Sequence, residues 1–468
     1  MRVAIIGGGA AGFFSAINVK RLAPQAEVTI YEAGAKTLVK VYLSGGGRCN
    51  LTNSFNGVKS LVKAYPRGEK LIKRAFKVFD YVDAYNWFEE NGVSLVTQSD
   101  ECVFPVSQRS NEIISTFERL AVALGIKVLV NCKIKKIEKL EQSFAGGNDK
   151  NSGRESNESE RSSGRKSCNA DGSINGSINS SINSSGGQDY NADGSSSSFV
   201  ITTSSSKVGV VESDVVVVTT GGSPRAEGFE MLSKLPLEFV EPVPSLFSFN
   251  TPCAELNELM GAVMEEAIVS VVGTKFKGDG ALLITHWGVS GPAVLKLSSY
   301  AARYLNEVGY KFNIAINWIG VTNEQDIIME LKGLIAENSK KNLGSLHPFG
   351  LSSRVWGHLL SRAKSLADKK CAEVGSKEIN KLVTTLIYDV YEVHGRAKHK
   401  EEFVTCGGVA LSSVNLNTLE AKECKGLFLA GEVLDVDAIT GGFNLQAAWS
   451  TGYVVAKSVA ESIVSSNY

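Results

Sequence analysis

The sequence predicts an α/β fold: a parallel-sheet domain built from both ends of the chain, interrupted by a β-rich domain and a helical one. Three observations carry it. The first 32 residues follow a strand–turn–helix–strand–acid order, a buried strand near residue 216 delivers a second small-residue turn, and the chain closes with a strand, a Gly-Gly turn and a long helix.

Arg2–Ile6 is a short apolar run that reads as a buried strand. Gly7, Gly8, Gly9, Ala10, Ala11 and Gly12 follow without a gap, and Phe13–Lys20 reads as a helix. A second apolar strand, Val28–Tyr31, ends at Glu32, twenty residues past Gly12. This is the order of a dinucleotide-binding βαβ unit. Gly7 permits the tight turn, Gly9 lets backbone N–H groups approach a pyrophosphate, and Gly12 lets the helix pack close to the strand. The helix N-terminus supplies unpaired N–H groups and partial positive charge. Glu32 is placed to accept from ribose hydroxyls. Further on, Ser44, Gly45, Gly46, Gly47, Arg48, Cys49 and Asn50 form a second backbone-exposing loop, whose amides and guanidinium suit a phosphate or the polar edge of a ring.

Residues 60–92 carry helical spacing, Val93–Val96 and Cys102–Pro105 read as a strand pair, Ser110–Leu124 as a helix, and Lys127–Val130 and Lys133–Ile137 as strands. From 142 to 198 the composition collapses into Ser, Asn, Gly and Asp. Such a segment cannot bury enough apolar surface to order itself, and it reads as a disordered, expanded hairpin loop. Val215–Val218 then forms a central strand delivering Thr220, Gly221 and Gly222. Pro242, Pro244 and Pro252 mark a change of character. Residues 245–317 are rich in β-formers and 323–391 in helical patterns. The expected divisions are 1–240 and 401–468 for the parallel-sheet domain, 241–320 for the β-rich domain and 321–400 for the helical subdomain.

At the C-terminus a buried strand ends at Gly431 and Glu432. An acidic loop with Asp437 follows, then Gly441 and Gly442 before a helix beginning Phe443, Asn444, Leu445, Gln446. A second helix N-terminus beside the first suits FAD, which has a pyrophosphate at one end and a flavin edge that becomes anionic on reduction at the other. NAD would not require it. Glu432 or Asp437 would take ribityl hydroxyls, and Ala33, Lys40 and Ile134 complete the candidate cofactor contacts.

Composition excludes several classes. The chain of 468 residues has 49 basic and 49 acidic side chains and no basic stripe with interleaved aromatics, so no nucleic-acid partner is expected. Its eight cysteines show no CxxC pair and no metal-ligand spacing, which fits free thiols in a reducing compartment and no metal. No apolar run approaches the ~18 residues of a membrane span. The expectation is a soluble, cytoplasmic protein acting on a small molecule, its oligomeric state open.

These motifs also resemble a known family. IIGGGAAGFFSAI, SGGGRCNLTN, CVFPVSQRS, TTGGSP, THWGVSGPAVLKLS, TCGGV and GLFLAGEVLDVDAITGGFNLQAAWSTG, in this order, are similar to those of the BaiN/YhiN-type flavoproteins, NAD(P)/FAD-dependent oxidoreductases that include aminoacetone oxidases. The resemblance implies a discontinuous Rossmann-type FAD domain interrupted by a β-barrel-like domain and a helical one. It implies FAD contacts at Gly7–Gly12, Glu32, Ser44–Asn50, Thr220–Gly222, Gly431–Glu432 and Gly441–Gln446. The Ser/Asn-rich insert departs from the family pattern.

There is no second GxGxxG and no CxxxxC dithiol, because Ser54 stands where the second cysteine would be. NAD(P)H, as a transient reductant, would have to dock directly against the flavin. Candidate catalytic residues are His286, in a loop before a helix and in the right range for acid–base work; Arg48, as an anion clamp; and Cys49, more readily a small residue under the flavin. His394 and His399 sit in a basic, surface-like run. Two functions stay open: an oxidoreductase passing a hydride through flavin N5 between a small organic substrate and O2, NAD(P)H or another acceptor, and a flavin-binding redox sensor without turnover.

Overall fold

The computed structural model describes residues 1–140, 199–223, 225–364, 366–397 and 404–465. The Ser/Asn-rich stretch and His399 lie outside the described residues.

Five strands form a parallel sheet: β1 (Arg2–Ile6), β2 (Glu27–Tyr31), β3 (Lys127–Leu129), β4 (Val215–Val218) and β5 (Leu427–Leu429), in the order β5-β4-β1-β2-β3. Every residue of β4 and β5 is buried, as expected of strands covered on both faces. The register places Ile6 opposite both Tyr31 and Val218, and Val218 opposite Leu429. The C-terminal ends of four strands therefore align at one edge, and the Gly7, Glu32, Thr219 and Ala430 turns leave from it. In parallel sheets this edge is where ligands bind.

Helix α1 (Ala10–Leu22) and the C-terminal helix α2 (Phe443–Ser465) pack behind that edge. They meet where α2 has a glycine. Ser15 Oγ donates to Gly452 O at 3.1 Å, and a Cβ on Gly452 would lie 3.2 Å from Ala11 O. Phe14, Trp87, Phe117 and Trp449 fill the space around this crossing. The core surrounds α1 on nearly all sides, which is why its sequence carries no polar face.

Ile134–Lys139 pairs antiparallel with Phe199–Thr203, Lys139 opposite Phe199. Thr52–Asn53, Cys102–Pro105 and Leu95–Thr97 form a small antiparallel sheet beside the glycine loop. Phe239–Ser245 pairs with Val404–Val409 to form a two-stranded neck, from which the inserted region leaves and returns.

That region holds a six-stranded antiparallel sheet, in the order Phe249–Asn250, Gly288–Ser290, Lys277–Thr285, Val263–Val271, Phe312–Asn317, Asp389–Val393. Helices Glu324–Glu337, Ser353–Arg362 and Ser376–Ile387 contribute Ile327, Leu331, Trp356, Leu359 and Leu382 to the same core as the strands. The helical subdomain expected at 321–400 thus has no core of its own. The reason lies in Asp389–Val393, whose burial alternates along the strand: this last strand returns to the sheet and draws the helices onto it. Among the described residues no helix is long and apolar enough to cross a membrane.

Candidate active site

A cleft of about 1150 Å³ runs along the C-terminal edge of the parallel sheet. Its floor is the Gly7–Ala11 turn. One wall is formed by Glu32, Lys36, Leu38–Lys40 and Tyr42–Gly47, the other by Thr219–Gly221, Ala430–Glu432, Val436, Ile439–Gly442 and Asn444, and Leu246 and Leu295 reach in from the inserted region.

The glycines test whether a dinucleotide fits. A Cβ on Gly7, whose φ is +113°, would lie 2.6 Å from Thr219 O, and one on Gly12 would lie 2.0 Å from Gly7 O. These two are fixed by strand–helix packing. A Cβ on Gly9, Gly46 or Gly47 would meet no protein atom within 4 Å. Gly9 is the α1 N-cap, with no side chain bonded to the turn, so the first N–H groups of α1 point to open space that a diphosphate fits. Gly45, Gly46 and Gly47 all hold positive φ, which breaks the short helix begun at Val39 and turns its backbone toward the cleft.

The charged groups are few. Glu32 accepts from Gly8 N–H at 2.8 Å and from Gly34 N–H at 2.7 Å, which fixes its carboxylate at the lip beside α1, where it retains acceptor capacity for a ribose. Glu432 accepts from Thr405 N–H at 2.7 Å and pairs with Lys40 Nζ at 2.8 Å across the cleft. At the far end Gly442, φ +87°, lies so close to Thr52 O that a Cβ would approach to 2.2 Å, and α2 begins one residue later. Asn444 braces this turn, accepting from Ala438 N–H at 2.9 Å and donating to Ala438 O at 3.0 Å. The cleft thus offers a ribose acceptor, one helix N-terminus and then a second. FAD presents its groups in that order, and the residues present fit it.

Of the candidate residues, the structure brings Gly7–Ala11, Glu32, Lys40, Ser44–Gly47, Asn50, Thr220, Gly221, Gly431, Glu432, Gly441, Gly442, Asn444 and Leu445 into this one cleft. Others it places elsewhere. Gly12 and Gly222 are packing positions, the latter against Thr405 and Glu432. Ala33 is exposed beyond the cleft, and Ile134 is buried in the side sheet. Phe443 packs on Phe55 and Tyr65, and Gln446 is wholly buried, accepting from Thr52 Oγ1 at 2.6 Å. Asp437 is a correction: it is buried against Arg67 and Ser245 and does not line the cleft.

None of the three catalytic candidates is among the residues that line the cleft. His286 is exposed at the turn between two strands of the inserted sheet, its ring edge-on to Trp287. Arg48 lies behind the glycine turn, its guanidinium 4.3 Å over the Phe104 ring and Nε donating to Gly45 O at 3.1 Å, so it braces the loop. Cys49 is wholly buried, and burial pushes its thiol up to about 12, which removes it as a nucleophile. Lys36, Tyr42, Leu246, Leu295, Val404, Val436 and Ile439 line the cleft without having been expected there. Only Val436 and Ile439 had a signal, as apolar neighbours of the predicted acidic turn.

Comparison with known proteins fits this geometry. A family profile described as "HI0933-like protein Rossmann domain" matches residues 1–458. The "Ribosomal RNA dihydrouridine synthase" of Escherichia coli (strain K12) is 25% identical over 464 residues, spanning 97% of this chain and 96% of that protein. The protein of the same name from Haemophilus influenzae is 24% identical, spanning 97% and 98%. The "3-dehydro-bile acid delta(4,6)-reductase" of Clostridium scindens is 21% identical over 473 residues, spanning 98% and 99%. The chain belongs to the HI0933-like Rossmann family of FAD-binding oxidoreductases, the flavoprotein group its motifs resemble, and its cofactor is FAD.

Proposed function

We propose that this chain is an FAD-dependent reductase that saturates a carbon–carbon double bond conjugated to a carbonyl, with NADH or NADPH as the transient source of electrons. The observation that carries the reading is the lining beyond the cofactor's charged groups: Leu246, Leu295, Val404 and Leu445 offer no charge. An apolar lining suits a flat ring and keeps water from the reacting carbon. When bound, FAD supplies the hydride. The chain's own part is to hold the dinucleotide by its backbone turns, orient the ring and exclude solvent.

The names of the relatives support the bond type. Dihydrouridine is uridine saturated at the double bond beside a ring carbonyl, and a delta(4,6)-reductase of a 3-dehydro bile acid saturates bonds conjugated to the 3-ketone. Two of them act on RNA by name, whereas the balanced charge of this chain favours a small molecule. One experiment separates the two. Under anaerobic conditions the yellow protein is reduced with NADH or NADPH, then offered unmodified ribosomal RNA or a 3-keto-4-ene steroid. The expected result is bleaching by one nucleotide, recovery of colour with one acceptor, and a product heavier by two hydrogens. A reduced flavin that yields electrons to neither overturns the reading.

A further inference from the structure

Arg67 and Asp437 form a buried ion pair beside the cleft that does not line it. The side chains are 15% and 0% exposed. Arg67 Nε donates to Asp437 Oδ1 at 2.6 Å and Nη2 donates to Oδ2, giving a two-pronged fork. The remaining donors reach into the inserted region: Nη1 to Ser299 O at 2.6 Å and Nη2 to Ser299 Oγ at 3.3 Å. Ser245 Oγ, at the neck, donates to Asp437 Oδ2 at 3.0 Å. Burial alone would lower the Arg67 guanidinium, but the Asp437 carboxylate raises it.

What these anchors adjoin is the cleft itself. Asp437 lies between Val436 and Ile439, both of which line it; Ser245 precedes Leu246; and Ser299 stands four residues beyond Leu295 on helix Pro292–Tyr300, hence on the same face. The segment on both sides of Arg67 is stitched to the same loop. Ile439 N–H donates to Ala64 O at 2.9 Å, and a Cβ on Gly68 would lie 2.5 Å from Val436 Cγ2. Tyr300 OH donates to Lys63 O at 2.8 Å nearby. The ion pair thus ties the loop on the FAD domain's side of the cleft to the two places where the inserted region lines it, Arg67 through Ser299 and Asp437 through Ser245.

We propose that Arg67 and Asp437 are positioning residues that seat the inserted domain over the flavin and so set how tightly the cleft closes on its substrate. An apolar pair would bury as stably, because desolvating two charges offsets most of their attraction. A planar fork gives what an apolar pair lacks, fixed directions to four acceptors. The Ser299 carbonyl is a helix-terminal one, which a cation suits. The inference rests on the proposed function only in placing substrate between these walls.

The test uses the full, FAD-loaded chain and two variants. Arg67→Lys keeps a charge beside Asp437 but loses the fork; the double variant Arg67→Met/Asp437→Leu replaces the pair with apolar groups of similar size and guards against misfolding from a stranded charge. Both are expected to retain FAD. Quenching of flavin fluorescence by iodide should rise about tenfold, the change in open population expected when one charge-assisted hydrogen bond is lost. With a turned-over substrate, KM should rise more than kcat falls. Iodide access unchanged from the parent in a folded variant overturns the inference, and so does loss of FAD from Arg67→Lys, which would make the pair a cofactor anchor. Raised quenching in a protein inert to every carbonyl-conjugated acceptor would sink the proposed reaction and leave this inference standing.

Discussion

Gly9 and Gly12 sit three residues apart in one motif, yet an added methyl group meets opposite surroundings at each. At Gly12 it would lie 2.0 Å from Gly7 O and 2.8 Å from Thr219 Oγ1; at Gly9 it would project into the cleft. Gly9→Ala should therefore leave the apoprotein within about 0.5 kcal/mol of the parent while weakening FAD at least about tenfold. Gly12→Ala should lower both the thermal midpoint and FAD affinity. Thermal unfolding of the apoprotein and a flavin titration separate the two. Cys49 gives a prediction in pH. Burial pushes its thiol to about 12 from an ordinary 9.0, and burial pushes Cys102 and Cys406 to about 11. Above pH 9 the unfolded chain releases these protons and the folded chain keeps them, so this stability is complete below pH 9 and is lost as pH rises toward 12. The midpoint should fall across that window, less steeply in Cys49→Ala. Iodoacetamide at pH 8 should leave native Cys49 unmodified by mass spectrometry.

At the scale of elements, α2 holds the FAD domain together from within. Trp449 is wholly buried against Phe14, Phe88 and Phe117, and its indole N–H donates to Leu51 O at 2.9 Å, two residues past Cys49. Trp449→Ala should cost about 3–5 kcal/mol in a denaturant titration and loosen the glycine turn that the Leu51 segment supports. The elements legible in the sequence were those whose signal is local. Arg2–Glu32 announces strand, turn, helix and acid within one short span, and the cleft floor follows from it. Asp437 was not legible, because the group that claims it, Arg67, lies 370 residues away, and an acid beside a glycine turn looks like a ligand until its partner is known. Leu246 and Leu295 carry no motif at all; tertiary packing alone brings them to the cleft. Asp389–Val393 alternates for only five residues after a long helical pattern, too brief a period to separate strand from helix end.

At the scale of the whole molecule, the described residues form two large cores, and the neck at Phe239–Ser245 and Val404–Val409 marks where one interrupts the other. The ends of the inserted region pair with each other. Asn250 N–H donates to Gly395 O, His394 N–H to Asn250 O and Ala397 N–H to Ser248 O, each at 2.9 Å. A segment whose ends meet in one ladder can be cut out without opening its core. Residues 246–397 alone should therefore fold, showing mixed helix and strand by circular dichroism, one cooperative thermal transition and no bound flavin. The shorter piece 246–320 should not. It lacks the outer strand Asp389–Val393, which pairs with one edge of Phe312–Asn317, and the helices whose Trp356, Leu359 and Leu382 cover the sheet. Stripped of them, the sheet would expose a broad apolar face. A cooperative transition in 246–320 would mean that strands and helices are separate domains after all, and that the helices are an attachment to the sheet rather than half of its core.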